Sequence, residues 1–240
     1  MRFLALAQRN FKEMFLDYLS LGLAMGLPIA LLLILSPISK VEVMFSPANL
    51  APGITLFAFV MLQFSSSMIL AKDRDSALLS RLLTAPLKPK DFISAYSLPY
   101  IPVAIIQTAL IFGIAALLGL ETSGNLGLVF LVLFIMSLGY IGLGMVAGSR
   151  LTYKQVPYAY TAVLLLTIFG GAWFDLEVFG SGFQSVMNLL PFAHALDATR
   201  DVMVQGAGFS DVAVDFYWVM GYTIVFFALG IFLFRRKMVE

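Results

Sequence analysis

The sequence has no cysteine among its 240 residues and a single histidine, His194. The first absence excludes a disulfide framework and a thiolate metal site, and the second excludes a multi-histidine metal centre. Charge is scarce as well. Only 12% of residues are Asp, Glu, Lys or Arg, while 60% are hydrophobic, against about 25% and about 45–50% in soluble domains. A water-soluble fold of this length has no means of covering that much apolar surface. The formal net charge is +1, and the basic residues are scattered among loops instead of forming one stripe, which argues against nucleic acid as a partner. No G-x-x-x-x-G-K-[ST] phosphate loop, H-E-x-x-H zinc helix or G-x-S-x-G nucleophile elbow is present. The chain therefore reads as one membrane domain, residues 1–240, with no catalytic residues, no metal site and no directly bound cofactor.

A bilayer core of about 30 Å needs roughly 20 apolar residues as helix. Six segments approach or meet that length: Leu19 to Leu35, Ala51 to Ala71, Ser97 to Leu120, Leu126 to Gly148, Pro157 to Trp173 and Asp215 to Phe234. The first apolar run starts after a long amphipathic stretch and no small-residue cleavage site follows it, so it is expected to be retained. Cationic loops stay on the cytoplasmic side. With the N-terminus inside, only Lys40 and Arg200 of the 15 Lys and Arg residues fall outside. Both termini inside requires an even number of spans, in agreement with six. The fold class is thus an all-α membrane protein with six transmembrane helices and cytoplasmic N- and C-termini.

Three segments are not spans. Residues 1–18 place Phe3, Leu4, Ala7, Phe11, Met14, Phe15 and Tyr18 at helical spacing, with Gln8, Arg9, Lys12, Glu13 and Asp17 opposite. Such a helix lies flat in the inner interface or extends the first span. Residues 72–96 form a loop in which Asp75 or Ser76 caps a short helix ended by Pro86. Leu78, Leu79, Leu82 and Leu83 share one face of that helix, while Ser76, Ser80 and Thr84 line another. Its leucines either rest on the membrane or enter a groove on a cytoplasmic partner. Residues 175–214 are too apolar for an ordinary loop and too broken for a span. They read as a helical hairpin, Phe183 to Leu190 and Phe192 to Val204 meeting at Pro191, that either re-enters the outer leaflet over a cavity or lies on the outer surface.

No span core carries an ionisable residue, which removes the usual signature of ion-coupled transport. The milder polar residues, Gln63, Ser65, Ser66, Ser67, Gln107, Thr108, Thr161 and Thr167, are accounted for by interhelical hydrogen bonds. A weakly polar, partly aromatic path through Phe57, Gln63, Phe64, Tyr160, Thr161 and Phe169 is the alternative. Gly22 with Gly26, and Gly144 with Gly148, have the GxxxG spacing of close helix packing without naming the partner helix. His194 and Asp197, three residues apart, form a proton-responsive pair or a structural one.

The order of interfacial helix, two spans, cytoplasmic helix, three spans, broken external segment and final span resembles the ABC-2 type permeases, the membrane subunits of one class of ABC exporters. The resemblance covers essentially the whole chain. Its most specific part is the loop in which Asp73, Asp75, Ser76, Ala77, Leu78, Leu82, Leu83, Thr84 and Pro86 stand where the family has an acidic pair, Gly-Thr, a leucine-rich turn and Thr-Pro. Leu190-Pro191 with His194 and Arg200, and the closing Phe234-Arg235-Arg236-Lys237, match two further family features. Asp replaces the usual Glu of the acidic pair, and Ser76-Ala77 replaces Gly-Thr. The resemblance implies a plasma-membrane, multi-pass exporter subunit for a lipophilic, drug- or lipid-like substrate, working as a homodimer or heterodimer among membrane lipids. It implies that Asp73, Asp75, Ser76, Leu78, Leu79, Arg81, Leu82 and Leu83 belong to a coupling helix docked on an ABC ATPase subunit, present in two copies. That partner would supply ATP and Mg. Polysaccharide-lipid, haem, sodium or peptide export by the same family, or an ATPase-independent secondary transporter, are the competing expectations.

Overall fold

The computed structural model describes residues 2–76, 89–174 and 176–239, and among these there is no strand. The helices are α1 (Arg2–Leu16), α2 (Tyr18–Leu35), α3 (Pro47–Arg74), α4 (Pro89–Ser97), α5 (Tyr100–Leu117), α6 (Leu126–Arg150), α7 (Val156–Thr167), α8 (Ser181–Met187), α9 (Pro191–Arg200) and α10 (Phe209–Val239). Local chemistry sets the boundaries. Asp17 breaks the chain between α1 and α2 and caps the latter, its Oδ1 accepting from the Ser20 N–H at 3.2 Å. Pro47 opens α3, where a missing N–H costs nothing. Asn125 caps α6 through the Gly127 N–H at 2.8 Å. Pro99 interrupts the ladder between α4 and α5.

Among the described residues, five stretches are long and apolar enough to cross a membrane: Tyr18–Lys40, Pro47–Arg74, Lys90–Leu117, Leu126–Arg150 and Phe209–Arg236. The segment expected at Pro157 to Trp173 is helical but shorter and broken. Twelve-residue α7 runs into a five-residue π-helical turn, Ile168–Ala172, in which Gly171 has φ of 101°, a backbone region that glycine enters without a Cβ penalty.

Helix α3 is the axis of the bundle, buried without interruption from Leu50 to Val60, with α2, α5, α6 and α7 packed around it. Gly144 and Gly148 form the seam between α6 and α3. A Cβ at Gly144 would lie 2.8 Å from the Gln63 carbonyl oxygen, and one at Gly148 would lie 2.9 Å from both Leu70 Cβ and the Ser67 carbonyl oxygen. The other GxxxG pair is open, with nothing within 4 Å of a Cβ at Gly22 or Gly26. The expectation of interhelical bonds is corrected for Ser66 and Ser67 of α3. Ser66 and Ser67 donate back to the Gln63 carbonyl at 3.0 and 2.6 Å, and Gln63 Nε2 donates to Ser67 Oγ at 3.1 Å, all within one helix. Gln107 does cross helices, donating to the Ala24 carbonyl of α2 at 3.0 Å. Tyr140 also crosses: Thr167 gives its own hydroxyl hydrogen to the Val163 carbonyl, so Tyr140 donates to Thr167 Oγ1 at 2.7 Å.

The first helix of the hairpin, α8, begins and ends two to three residues before the expected Phe183 to Leu190, while α9 with the turn that follows it covers the expected Phe192 to Val204. Helix α9 continues as a π-helical turn, Asp201–Gln205. It is no surface element, since Phe192, Ala193, Ala195, Leu196, Ala198 and Thr199 are all buried, against α3, α6 and α10. Arg200 at its end clasps the broken end of α7, donating to the Gly171 and Ala172 carbonyls at 2.8 and 3.1 Å and to the Asn49 carbonyl at 3.2 Å.

Candidate functional site

The end of the bundle that carries Arg9, Lys72, Arg74, Lys90 and Arg150 has its own apolar core. Leu6 and Ala7 of α1, Leu70 of α3, Phe92, Ile93, Ala95 and Tyr96 of α4, Met145 of α6 and Phe234 of α10 pack together. Three consecutive residues where α3 ends tie this core to its surroundings. Asp73 is 3% exposed. Its carboxylate accepts from Arg9 at both oxygens, 3.0 Å for Nη2 to Oδ1, and from the Tyr96 hydroxyl at 2.7 Å. Arg74 turns the other way and caps α6, donating to the Gly148 and Leu151 carbonyls at 3.0 and 2.7 Å. Asp75 accepts from the Tyr153 N–H at 3.2 Å, in the turn that leads into α7. Residues 73–75 thus hold α1, α4, α6 and the approach to α7 at one point.

Beside this hub lies a cleft of about 1150 Å³ between the α1–α2 elbow and α3. Arg9, Glu13 and Lys72 form its charged rim, with Glu13 bridging Arg9 at 2.6 Å and Lys72 at 2.9 Å. Deeper in, the wall is Met61, Phe64, Ser65 and Met68 of α3 facing Leu21 of α2, with Tyr100 and Val103 of α5 also contributing. From Lys72 to Met61 along α3 is roughly 16 Å at 1.5 Å per residue. The cleft therefore grades from ionic to apolar over about half a bilayer core. Methionine and phenylalanine suit variable apolar shapes, because the thioether chain is flexible and polarisable.

The residues singled out from sequence divide between several places. Phe64 is on the cleft wall, its ring 5.0 Å from that of Tyr160. Phe57 is buried and packs on Trp173 at 5.3 Å. Phe169 joins Phe179 and Phe183 in edge-on contacts at 6.1 Å near the hairpin. Thr161 is exposed and bonds back to the Pro157 carbonyl at 3.0 Å. Gln63 is fully buried and does not line the cleft. Asp73 points inward, where Arg9 and Tyr96 hold its carboxylate. Asp75 and Ser76 are exposed. Leu78, Leu79, Arg81, Leu82 and Leu83 lie outside the described residues. Met61 and Met68 carry no motif that singles them out in the sequence, although with Ser65 between them a spacing of four and three residues places all three on one helix face.

Residues 1–204 match the family model described as ABC-2 type transporter. The chain belongs to the ABC-2 type transporter family. It is 26% identical over 196 residues to ABC transporter G family member 20 of Dictyostelium discoideum, covering 78% of this chain and 27% of that protein. It is 22% identical over 186 residues to the linearmycin resistance permease protein LnrN of Bacillus subtilis (strain 168), covering 77% and 48%. Identity to the daunorubicin resistance ABC transporter permease protein DrrB1 of Streptomyces coeruleorubidus is 27% over 195 residues, covering 78% and 68%. The chain spans only about a quarter to a half of the length of the first two relatives. This ABC-2 family member is a multi-pass membrane protein, and two of the named relatives are drug-resistance permeases.

Proposed function

We propose that the chain is the membrane-spanning permease subunit of an ATP-driven ABC exporter that moves a lipophilic, drug- or lipid-like substrate out of the cytoplasm or the inner leaflet. The observation that carries this reading is the graded cleft. An amphiphile entering past Arg9, Glu13 and Lys72 keeps its polar head among ions while its apolar part slides onto Met61, Phe64 and Met68. In this arrangement α7 with its π turn is the fifth of six spans, both termini are cytoplasmic, α1 lies in the inner interface, and the membrane is the plasma membrane. The permease pairs with a second copy or a similar permease.

The loop of residues 72–96, through the coupling helix that carries Asp73, Asp75, Ser76, Leu78, Leu79, Arg81, Leu82 and Leu83, is the docking point for the ATPase subunits, which supply ATP and Mg. The hub formed by residues 73–75 supports this role mechanically. A push delivered between α3 and α4 reaches α1, α6 and the start of α7 through bonds that do not have to form anew. Rigid coupling of this kind lets a partner's conformational change bias the spans without any chemistry in the permease.

The test is co-purification with an ABC ATPase encoded beside this chain, followed by ATPase stimulation across a panel of lipids and drugs. Association is expected to be lost when Leu78 and Leu82 are both changed to Asp while membrane insertion persists. Retained association in that double variant removes the docking assignment. A flat response to every lipophilic compound removes the substrate class.

A further inference from the structure

His194 does not pair with Asp197. Its Nδ1 lies 2.6 Å from Oδ1 of Asp215 in α10, and its Nε2 lies 2.8 Å from the backbone carbonyl oxygen of Asn188 in the turn after α8. Both partners are acceptors, because a backbone carbonyl and an ionised carboxylate have no hydrogen to give. A neutral imidazole carries one N–H and leaves one of these contacts as lone pair against lone pair. An imidazolium carries two and satisfies both. The ring also lies flat on Trp218 of α10, with centroids 5.0 Å apart and planes 8° apart, the face on which an indole attracts a cation. One residue beyond Asn188, the Leu189 carbonyl accepts from the Tyr222 hydroxyl of α10 at 2.6 Å.

We propose that His194 is a proton-dependent clasp between the α8–α9 hairpin and α10, closed by the imidazolium and released when Nε2 gives its proton to water. On release the remaining hydrogen stays at Nδ1 with the Asp215 carboxylate, and the Nε2 lone pair turns on the Asn188 carbonyl. The repulsion falls on the turn that joins α8 to α9. Helix α9 is held by its buried face, so α8 and the turn are the parts free to move.

The other carboxylates near the ring act in the same direction, and Arg200 acts against them. Asp197, one turn on in α9, adds negative charge, Asp201 adds to the field at Asp215, and Arg200 offsets Asp197. Partial burial pulls the imidazole pKa down. The hydrogen bond and charge of Asp215, with the Asn188 carbonyl and Asp197, outweigh it, and the net shift is upward from 6.5. A pKa raised on folding means that the clasp is complete below about pH 6.5 and is lost as pH rises through the raised value.

His194 is the chain's one histidine, so ring-nitrogen NMR of the full chain labelled with 15N-histidine reads this group alone. The expected result is a doubly protonated ring at pH 6.5, with a midpoint above that value that falls by about one unit or more in Asp215→Asn and by less in Asp197→Asn. The cysteine-free chain also allows spin labels at Val186→Cys and Tyr217→Cys, both exposed positions. Their separation is expected to widen as pH rises through the midpoint, and to be insensitive to pH in His194→Gln. A neutral ring at pH 6.5, a midpoint that Asp215→Asn leaves in place, or a label distance that does not change across the titration each overturn the clasp.

Discussion

Tyr96 donates its hydroxyl hydrogen to Oδ2 of Asp73 at 2.7 Å, joining the two helices that flank residues 77–88. The bond ties the end of α3 to the last turn of α4. It also completes a carboxylate already held by Arg9, so α1, α3 and α4 share one buried anion.

Asp73→Ala should leave Arg9 without its partner and the Tyr96 hydroxyl buried without an acceptor. Breaking a buried pair costs about 3–5 kcal/mol, but the Arg9 side chain is 38% exposed and can turn to water. A loss of about 2–3 kcal/mol is therefore expected. Thermal unfolding in detergent measures it, together with faster proteolysis of α1. Tyr96→Phe should cost about 1.5–3 kcal/mol, the worth of a hydrogen bond to a charged group.

Gly148→Ala should force α3 and α6 apart, because its Cβ meets Leu70 Cβ and the Ser67 carbonyl at 2.9 Å, and neither is the far end of a flexible side chain. Overpacking of this kind costs about 1–3 kcal/mol. Gly22→Ala and Gly26→Ala meet nothing within 4 Å and should leave the melting temperature of the isolated chain unchanged or slightly raised, since alanine favours the helix over glycine. Equal effects at the two pairs would refute the assignment of the seam.

Arg200→Lys keeps the charge and discards the fork that reaches the Gly171 and Ala172 carbonyls together. A destabilisation of about 2–3 kcal/mol is expected from carbonyls left without their donors. Trp173 adjoins Ala172, so its fluorescence should shift in a chain carrying Trp218→Phe, which removes the other of the two tryptophans.

Phe64→Ala and Met68→Ala should each lower substrate-stimulated ATPase activity of the assembled transporter several-fold, with basal activity retained. Phe130→Ala, at an exposed position on α6 away from the cleft, should not. A response at Phe130 as large as at Phe64 would place the path elsewhere.

Much of the architecture could be read from hydropathy and turn residues, because long apolar helices report themselves by composition. The short α7 with its π turn was less legible. Gly170-Gly171 signals a break, but the close approach of α3 at Gly53 and the reach of Arg200 across the chain shape that break. The inward turn of Asp73 was not legible in the sequence either. Asp73 belongs to the same acidic pair as Asp75, and nothing in the local pattern says that Arg9, 64 residues earlier, turns one of the two inward. The amphipathic pattern of α1 was equally ambiguous: Arg9 and Glu13 sit on its polar side, yet both are drawn into the hub.

The sequence alone determined that this chain is an all-helical membrane protein, where its long apolar segments lie, and that it resembles the ABC-2 permeases. Those properties follow from solvent transfer, which acts residue by residue. Only the tertiary structure decided which glycine pair is a seam, that Ser66 and Ser67 of α3 bond within their own helix, that Asp73 is internal and that His194 meets Asp215. Each of these depends on which helix faces which, a relation between distant residues that no local spacing encodes.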